Sequence, residues 1–330
     1  MKRILFSVLT GTVLLVGISL SEPQSSQPQV LAGLHAEPLV LLQQAVAPAP
    51  KSVWSIGIYT GSSLFDLADP ARISNPVITP KDVTDIDASV VAHPFLLRAD
   101  SKFYMFFTAK NGKTDRGEIG LAESENGFNW TYRQIVLTAP YHLAYPFVFE
   151  SEGQYYMIPE GVDDRSVRLY RATDFPTKWT LEKVLIQGDA LISASVIHFQ
   201  NRWWMFVGLQ GNETLRLYYA TALQGPWTEH PRSPIVEKDK NIARPGGRPV
   251  VLDGNLYRMG QDCYPTYGLQ VSAFKVTNLS TTEYEETMIV SPIVKATSTG
   301  WSADGMHHVD AFPISEKSWI AAVDGVQTIR

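Results

Sequence analysis

The sequence predicts an all-β protein, a five-bladed β-propeller whose ring is closed by the N-terminal segment completing the last blade. Three observations carry this. The composition favours strands and turns: Tyr, Trp, Phe, Val, Thr, Gly and Pro are plentiful, and 45% of the 330 residues are hydrophobic. A hairpin phrase recurs with a period of roughly 50 residues, the length of a four-stranded blade. The fifth copy of the phrase lacks its second half at the C-terminal end, and a segment of matching form stands near the N-terminus.

The phrase reads "HPFLLRADSKFYMFF", then "YPFVFESEGQYYMIP", "SASVIHFQNRWWMFVG", "GGRPVVLDGNLYRMGQ" and "HVDAFPISEKSWIAAVDG". Each copy is an apolar run, a short polar or Gly turn and an aromatic-led run, the pattern of a hairpin. A second module follows each of the first four: strand, small loop, Trp or Tyr, strand. "GEIGLAESENGFNWTYRQIVL" and "RSVRLYRATDFPTKWTLEKVLI" are the clearest. The missing fifth module is supplied by "WSIGIYTGSSLFDLADPARISNPVIT", Trp54 to Thr79. A ring left open would expose an unpaired strand edge, which gives the closure its physical reason. The propeller is expected over residues 52–330.

Residues 1–21 read as a signal peptide or membrane anchor: "MKR" precedes the apolar run Ile4 to Leu20, and no Ala-x-Ala cleavage site follows it closely. Residues 22–51, rich in Pro, Gln and Ala, read as a flexible spacer. The domain is therefore expected outside the cytoplasm, in the periplasm or the extracellular space. Net charge is −5 with no run of Lys or Arg, which argues against a nucleic-acid partner. The single cysteine, Cys263, excludes an intrachain disulfide and reads as a small buried residue. No cofactor or metal is expected. The paired His307 and His308 are candidate ligands by type, but adjacent residues of a strand face opposite sides.

Propeller sites form where the inner strands of separate blades converge. Aligning the copies puts the heads of the inner strands at His93, Tyr145, Ser193, Gly246 or Gly247, and His308. Polar residues collect near these heads: Asp85, Asp87, His142, Glu160, Arg244, Arg248, Gln261, Asp262, Asp304, His307 and Asp310. Each also has a plain reading. Glu160 after Pro159 could cap a hairpin, Asp262 could bond within the core, and the two arginines could pair with internal carboxylates or bind an anionic ligand group. His142, Tyr145, Arg244, Arg248, Gln261, Asp262, His307 and His308 are the candidate substrate-binding residues, and Tyr145, Trp203, Trp204 and Tyr264 offer aromatic faces.

The phrases "YPFVFESEGQYYMIPE", "VRLYRATDFPTKW", "RWWMF", "GPWTEHPRSPI", "RPGGRPVVLDGNLYRMGQDCYPTYG" and "HHVDA", in this order, resemble the N-terminal domain of glucosamine inositolphosphorylceramide transferases. That domain is similar in fold to the five-bladed glycosidases of the arabinanase, fructosidase and levansucrase group. The resemblance implies a carbohydrate or glycoconjugate partner. It does not carry over the transferase activity, which in that family belongs to a separate C-terminal glycosyltransferase domain for which this sequence leaves no room.

The glycosidase likeness implies a base or nucleophile on the first blade, an orienting Asp, and an acid Glu. Paired carboxylates at a set separation are what glycosidic cleavage requires. His93 and Ser193 stand where two of these carboxylates are expected. A hydrolytic centre would then use Glu160 as acid, with Asp85, Asp87, Asp262 or Asp310 as the second carboxylate, or His93 as a base in its place. The competing expectation is a glycan-binding or scaffold propeller without hydrolysis.

Overall fold

A computed structural model describes residues 51–329. The expected leader and the expected spacer up to residue 50 lie outside the described residues, Lys51 opens a strand, and among the described residues no helix is long and apolar enough to cross a membrane.

The strands form five antiparallel sheets, one per blade. The first blade runs Ala88–Ala99, Lys102–Asn111, Gly117–Ser124 and Thr131–Leu137, from inner to outer strand. The second runs Ala144–Ser151, Gln154–Glu160, Ser166–Asp174 and Lys178–Gln187. In the third, Leu191–Phe199, Arg202–Leu209 and Thr214–Ala220 are followed by two short outer pieces, Thr228–Glu229 and Val236–Glu237. Pro231 and Pro234 lie between those pieces, and proline cannot donate to a ladder.

The fourth blade departs from the expected continuous hairpin. Its inner strand is split into Arg244–Pro245 and Val250–Leu252, both paired with Asn255–Asp262. The interruption is "PGGRP": two prolines flank Gly247, whose φ is +150°. A Cβ at Gly247 would meet Val309 O at 1.8 Å, because the two residues form a bridge between the fourth and fifth blades. Only glycine permits that approach. Gln270–Leu279 and Tyr284–Lys295 complete the blade.

The fifth blade confirms the predicted closure. Its inner strands are Val309–Ser315 and Ser318–Ile329, and the N-terminal strand Lys51–Gly61 adds outside them, followed by Leu67–Ala68. The closing ladder runs unbroken from Lys51 opposite Ile329 to Gly61 opposite Trp319. It buries Ile56 and Ile58 completely, against Val91, Met105 and Ile320. Ring closure is thus both a hydrogen-bond ladder and an apolar seam to the first blade.

The core lies between blades. One buried cluster joins the first three blades through Phe95, Phe147, Met157 and Met205, and others fill the later seams. The tryptophans of the second modules have a local task. The indole N–H groups of Trp130, Trp179 and Trp227 donate to the carbonyls of Gly127, Pro176 and Leu223 at 2.9, 2.9 and 3.0 Å. Each ties the loop between the outer strands while its ring packs toward the apolar core.

Candidate functional site at the centre of the ring

The heads of the inner strands share a backbone device. His93, Tyr145 and Ser193 have φ of 51°, 47° and 53°, the left-handed region, at a register shift in the inner hairpin of each blade. Such a conformation costs a non-glycine residue on the order of 1 kcal/mol. In all three the turned N–H is accepted by a side chain of the preceding blade. His93 donates to Asp324 Oδ2 at 2.8 Å, Tyr145 to Thr108 Oγ1 at 3.1 Å and Ser193 to Glu160 Oε2 at 2.9 Å. The acceptors hold equivalent places in the second strands, in "MFFTA", "MIPEG" and "AAVDG". Two copies of the phrase therefore end in a carboxylate. Asp324 and Thr108 were not among the expected site residues, and aligning the tails of the hairpins as well as their heads would have found them.

Tyr145 crosses the middle of the ring. Its hydroxyl lies 2.9 Å from Ser195 Oγ on the third blade and donates to Gly247 O on the fourth at 3.1 Å. Phe95 and His308 pack edge to face on its ring at 4.8 and 5.3 Å. Tyr145 is buried and plugs the shaft; its phenol offers no exposed stacking face.

To one side of this plug lies a polar cluster. His93 and His307 stack at 4.6 Å, and Trp54 covers the far face of His307 at 4.2 Å. His307 Nδ1 is 2.6 Å from Asp324 Oδ1. Burial works to raise the Asp324 carboxyl, but the imidazoles of His307 and His308 and the His93 N–H outweigh it and hold the group below the usual range. Tyr267 sets its ring edge against His307 at 5.3 Å and lies under the Arg244 guanidinium at 5.5 Å. Arg244 Nη2 donates to Glu160 Oε2 at 3.2 Å, and Arg244 Nη1 to Asn212 Oδ1 at 2.8 Å. Gln261 faces Arg244 across the strand pair. The loop bearing Tyr267 approaches closely because Gly268, with φ +79°, leaves room for Trp54 and His307; a Cβ there would lie 2.9 and 3.0 Å from them.

Glu160, His93, Tyr145, Arg244, Gln261, His307 and His308 thus belong to one connected centre. Asp310 and Arg248 form a separate ion pair. Asp310 accepts Arg248 Nε at 2.7 Å, Arg248 Nη2 at 3.2 Å and the Leu96 N–H at 2.6 Å. Both its oxygens are occupied and the residue is buried, which raises its pKa despite the arginine. Arg248 lines another opening, a cleft of about 740 Å³ that includes Val250, Phe312 and Trp319.

Three other candidates lie in structural positions. Asp262 accepts from Asn241 (2.8 Å), the Tyr264 N–H (3.1 Å) and Gln270 (3.2 Å), which anchors the loop carrying Tyr267. His142 accepts the Gly117 N–H at 3.0 Å, on the seam between the first two blades. Asp85 is bonded to the Tyr132 hydroxyl and the Ile135 N–H, on the outer strand of the first blade.

The strand argument that separated His307 from His308 does not hold. Both residues precede the strand Val309–Ser315 in irregular backbone. Both rings reach His93, His307 by stacking and His308 edge to face at 5.9 Å. Cys263 is buried, and burial pushes its thiol up to about 11. It is a packed residue, not a nucleophile.

The sequence matches the family model described as glucosamine inositolphosphorylceramide transferase 1, N-terminal, over residues 47–326. Among curated relatives, glucosamine inositolphosphorylceramide transferase 1 of Oryza sativa subsp. japonica is 37% identical over 302 residues, covering 84% of this chain and 40% of the relative. The Arabidopsis thaliana protein of the same name is 34% identical over 297 residues, covering 82% and 39%. The chain spans about two-fifths of the length of these relatives.

Solved structures share the fold at low identity. A putative glycoside hydrolase from Parabacteroides distasonis has a TM-score of 0.58 at 12% identity, covering 77% of this chain and 95% of that one. A putative glycosidase from Bacteroides thetaiotaomicron has 0.58 at 11%, covering 79% and 97%. An exo-β-1,3-galactanase from Phanerochaete chrysosporium, solved with β-1,3-galactotriose, has 0.51 at 15%, covering 62% and 49%. The chain belongs to the glucosamine inositolphosphorylceramide transferase 1 N-terminal family, and its fold is the five-bladed propeller of glycoside hydrolases.

Proposed function

We propose that this propeller is a carbohydrate-recognition domain that binds a glycan at the centre formed by His93, Glu160, Arg244, Gln261, Tyr267 and His307, and does not cleave it with a pair of carboxylates. One observation carries the reading. His93 Nε2 and Arg244 Nε are buried without a hydrogen-bond partner among the described residues. Folded proteins leave few such groups, and each calls for a physical role; a ligand contact supplies one here. Here they lie beside aromatic rings, the setting in which sugar rings are held. The kinship with glycosidase propellers, one of them solved with a galactotriose, supports a glycan as the ligand.

The carboxylates speak against cleavage by a carboxylate pair. Glu160 Oε2 is already taken by the Arg244 guanidinium and by the N–H and hydroxyl of Ser193, which fixes the carboxylate in the seams between blades. Asp310 is saturated, and Asp324 is held by two backbone N–H groups and an imidazole. The His93 imidazole is buried and its Nδ1 is engaged by Thr108 Oγ1 at 3.2 Å, and burial, then His307 and His308, hold its pKa well below the ordinary value, which weakens it as a base.

Glycan-array binding by the purified domain, together with a reducing-sugar assay on the bound glycans, tests the reading. Binding without release of sugar is expected; release that stops in Glu160→Gln would overturn it. A second reading, hydrolysis, draws on one observation: Asp324 orients His307 through Nδ1, as a histidine acid or base requires. Turnover lost in His307→Gln would establish it. The apolar leader supports an exported location, and cell fractionation would check it.

A further inference from the structure

The hydrogen-bond accounting of the centre carries an inference about ligand class that rests on the recognition reading above. It starts with Thr108. Its hydroxyl oxygen accepts the Tyr145 N–H at 3.1 Å and lies 3.2 Å from His93 Nδ1. Among the described residues the hydroxyl proton has no other acceptor, so it is donated to Nδ1. The neutral ring then carries its hydrogen on Nε2, the atom without a partner. His308 is the complement. Its Nε2 faces the Pro94 carbonyl at 3.0 Å, which can only accept, so the hydrogen is there. Burial lowers His308 to about 3, leaving Nδ1 as an orphaned lone pair.

Among the described residues the centre thus has unmet donors at His93 Nε2 and Arg244 Nε, and an unmet acceptor at His308 Nδ1; Gln261 sets its amide toward the Tyr267 hydroxyl. Glu160 adds a second acceptor: its three bonds all fall on Oε2, and Oε1 lies outside them. A cation finds an N–H at His93 where it would need a lone pair. An anion finds Arg244 already balanced by Glu160 and a lone pair at His308. A hydroxyl group, which donates and accepts, satisfies both kinds of atom.

We propose that the centre recognises an uncharged sugar through its hydroxyl groups, which accept from His93 and Arg244 and donate to Glu160 Oε1 and His308 Nδ1, with neither a metal ion nor an anionic substituent in the contact. Thr108 is a positioning residue that fixes the His93 tautomer.

The test uses the whole chain and a glycan array that pairs neutral oligosaccharides with their uronate and sulfated counterparts, read with and without EDTA. The expected result is binding to neutral glycans, roughly tenfold weaker for acidic counterparts, and unchanged by EDTA. Tighter binding of the acidic forms, or loss of binding in EDTA, would overturn the hydroxyl assignment while leaving the recognition reading intact. Binding to no glycan would overturn both. Independently of any glycan, ¹⁵N NMR at neutral pH should show His93 and His308 as neutral Nε2–H tautomers. Either ring protonated on Nδ1 refutes the proposal. Thr108→Val should shift the His93 signal and weaken neutral-glycan binding, and Thr108→Ser should restore both.

Discussion

Glu160 accepts both the backbone N–H and the hydroxyl of Ser193, at 2.9 and 3.0 Å, across the seam between the second and third blades. The same oxygen takes Arg244 of the fourth blade at 3.2 Å. One carboxylate therefore holds three blades together through a single oxygen. Glu160→Gln removes the charge and keeps an acceptor, leaving Arg244 buried with Asn212. Breaking a buried pair costs about 3 to 5 kcal/mol, and the retained amide should hold the loss near the lower end. Urea unfolding would measure it. A midpoint equal to that of the parent would show that the pair does not contribute to stability.

Thr108 does the same for the seam between the first two blades with a neutral group. Thr108→Val leaves the left-handed Tyr145 N–H buried without an acceptor, at a cost of about 1 to 3 kcal/mol. Thr108→Ser retains the hydroxyl and should fall well under that. Equal destabilisation by the two variants would instead implicate lost packing of the methyl group.

The architecture was legible because the hairpin repeat encodes it directly: five apolar–turn–aromatic phrases, with the fifth module displaced to the N-terminus, leave ring closure as the consistent solution. The split inner strand of the fourth blade escaped because "PGGRP" still reads as the start of an apolar run, and only the approach of Val309 to Gly247 shows why pairing stops. At the site, the heads of the strands were legible from alignment. The link between Glu160 and Ser193 was not, because it joins residues 33 apart through a backbone N–H, and sequence pattern carries no sign of which way an N–H turns. Asp324 was missed for a similar reason: in "IAAVDG" it reads as a turn residue, whereas in the ring it lies beside His93 and His307. Tyr267 sits in a loop, where hydrophobic periodicity says nothing.

Acid should destabilise the domain well above the ordinary carboxylate range. His93 and His308 have folded pKa values below the unfolded value of 6.5, His308 at about 3 and both chiefly through burial. Below 6.5 the unfolded chain binds protons that the folded chain refuses, so stability falls as pH drops from about 6.5 toward 3. Asp324, depressed from 3.8, adds a loss at the acid end, whereas Asp310, raised above 3.8, opposes it in the window just above. Unfolding free energy measured from pH 7.5 to 4 should decline by a few kcal/mol, about 1.4 kcal/mol for each unit of pKa difference traversed. A flat profile would mean that these imidazoles are hydrated and not buried.

Tyr267 separates recognition from folding. The residue is 41% exposed, and its ring meets the centre at Arg244, His307 and Gln261. Removing an exposed ring at the end of a loop should change stability by about 0.5 kcal/mol or less. Removing a rim aromatic from a sugar site takes away a stacking surface and loosens the Arg244 guanidinium that lies over it. Tyr267→Ala should therefore weaken glycan binding roughly tenfold, a loss of about 1.4 kcal/mol, with an unchanged unfolding midpoint. Tyr267→Phe keeps the ring and should lose only part of that. If Tyr267→Ala binds glycans as the parent does, the ring stands outside the recognition surface, and contact with the sugar falls to Trp54, His93 and His307 alone.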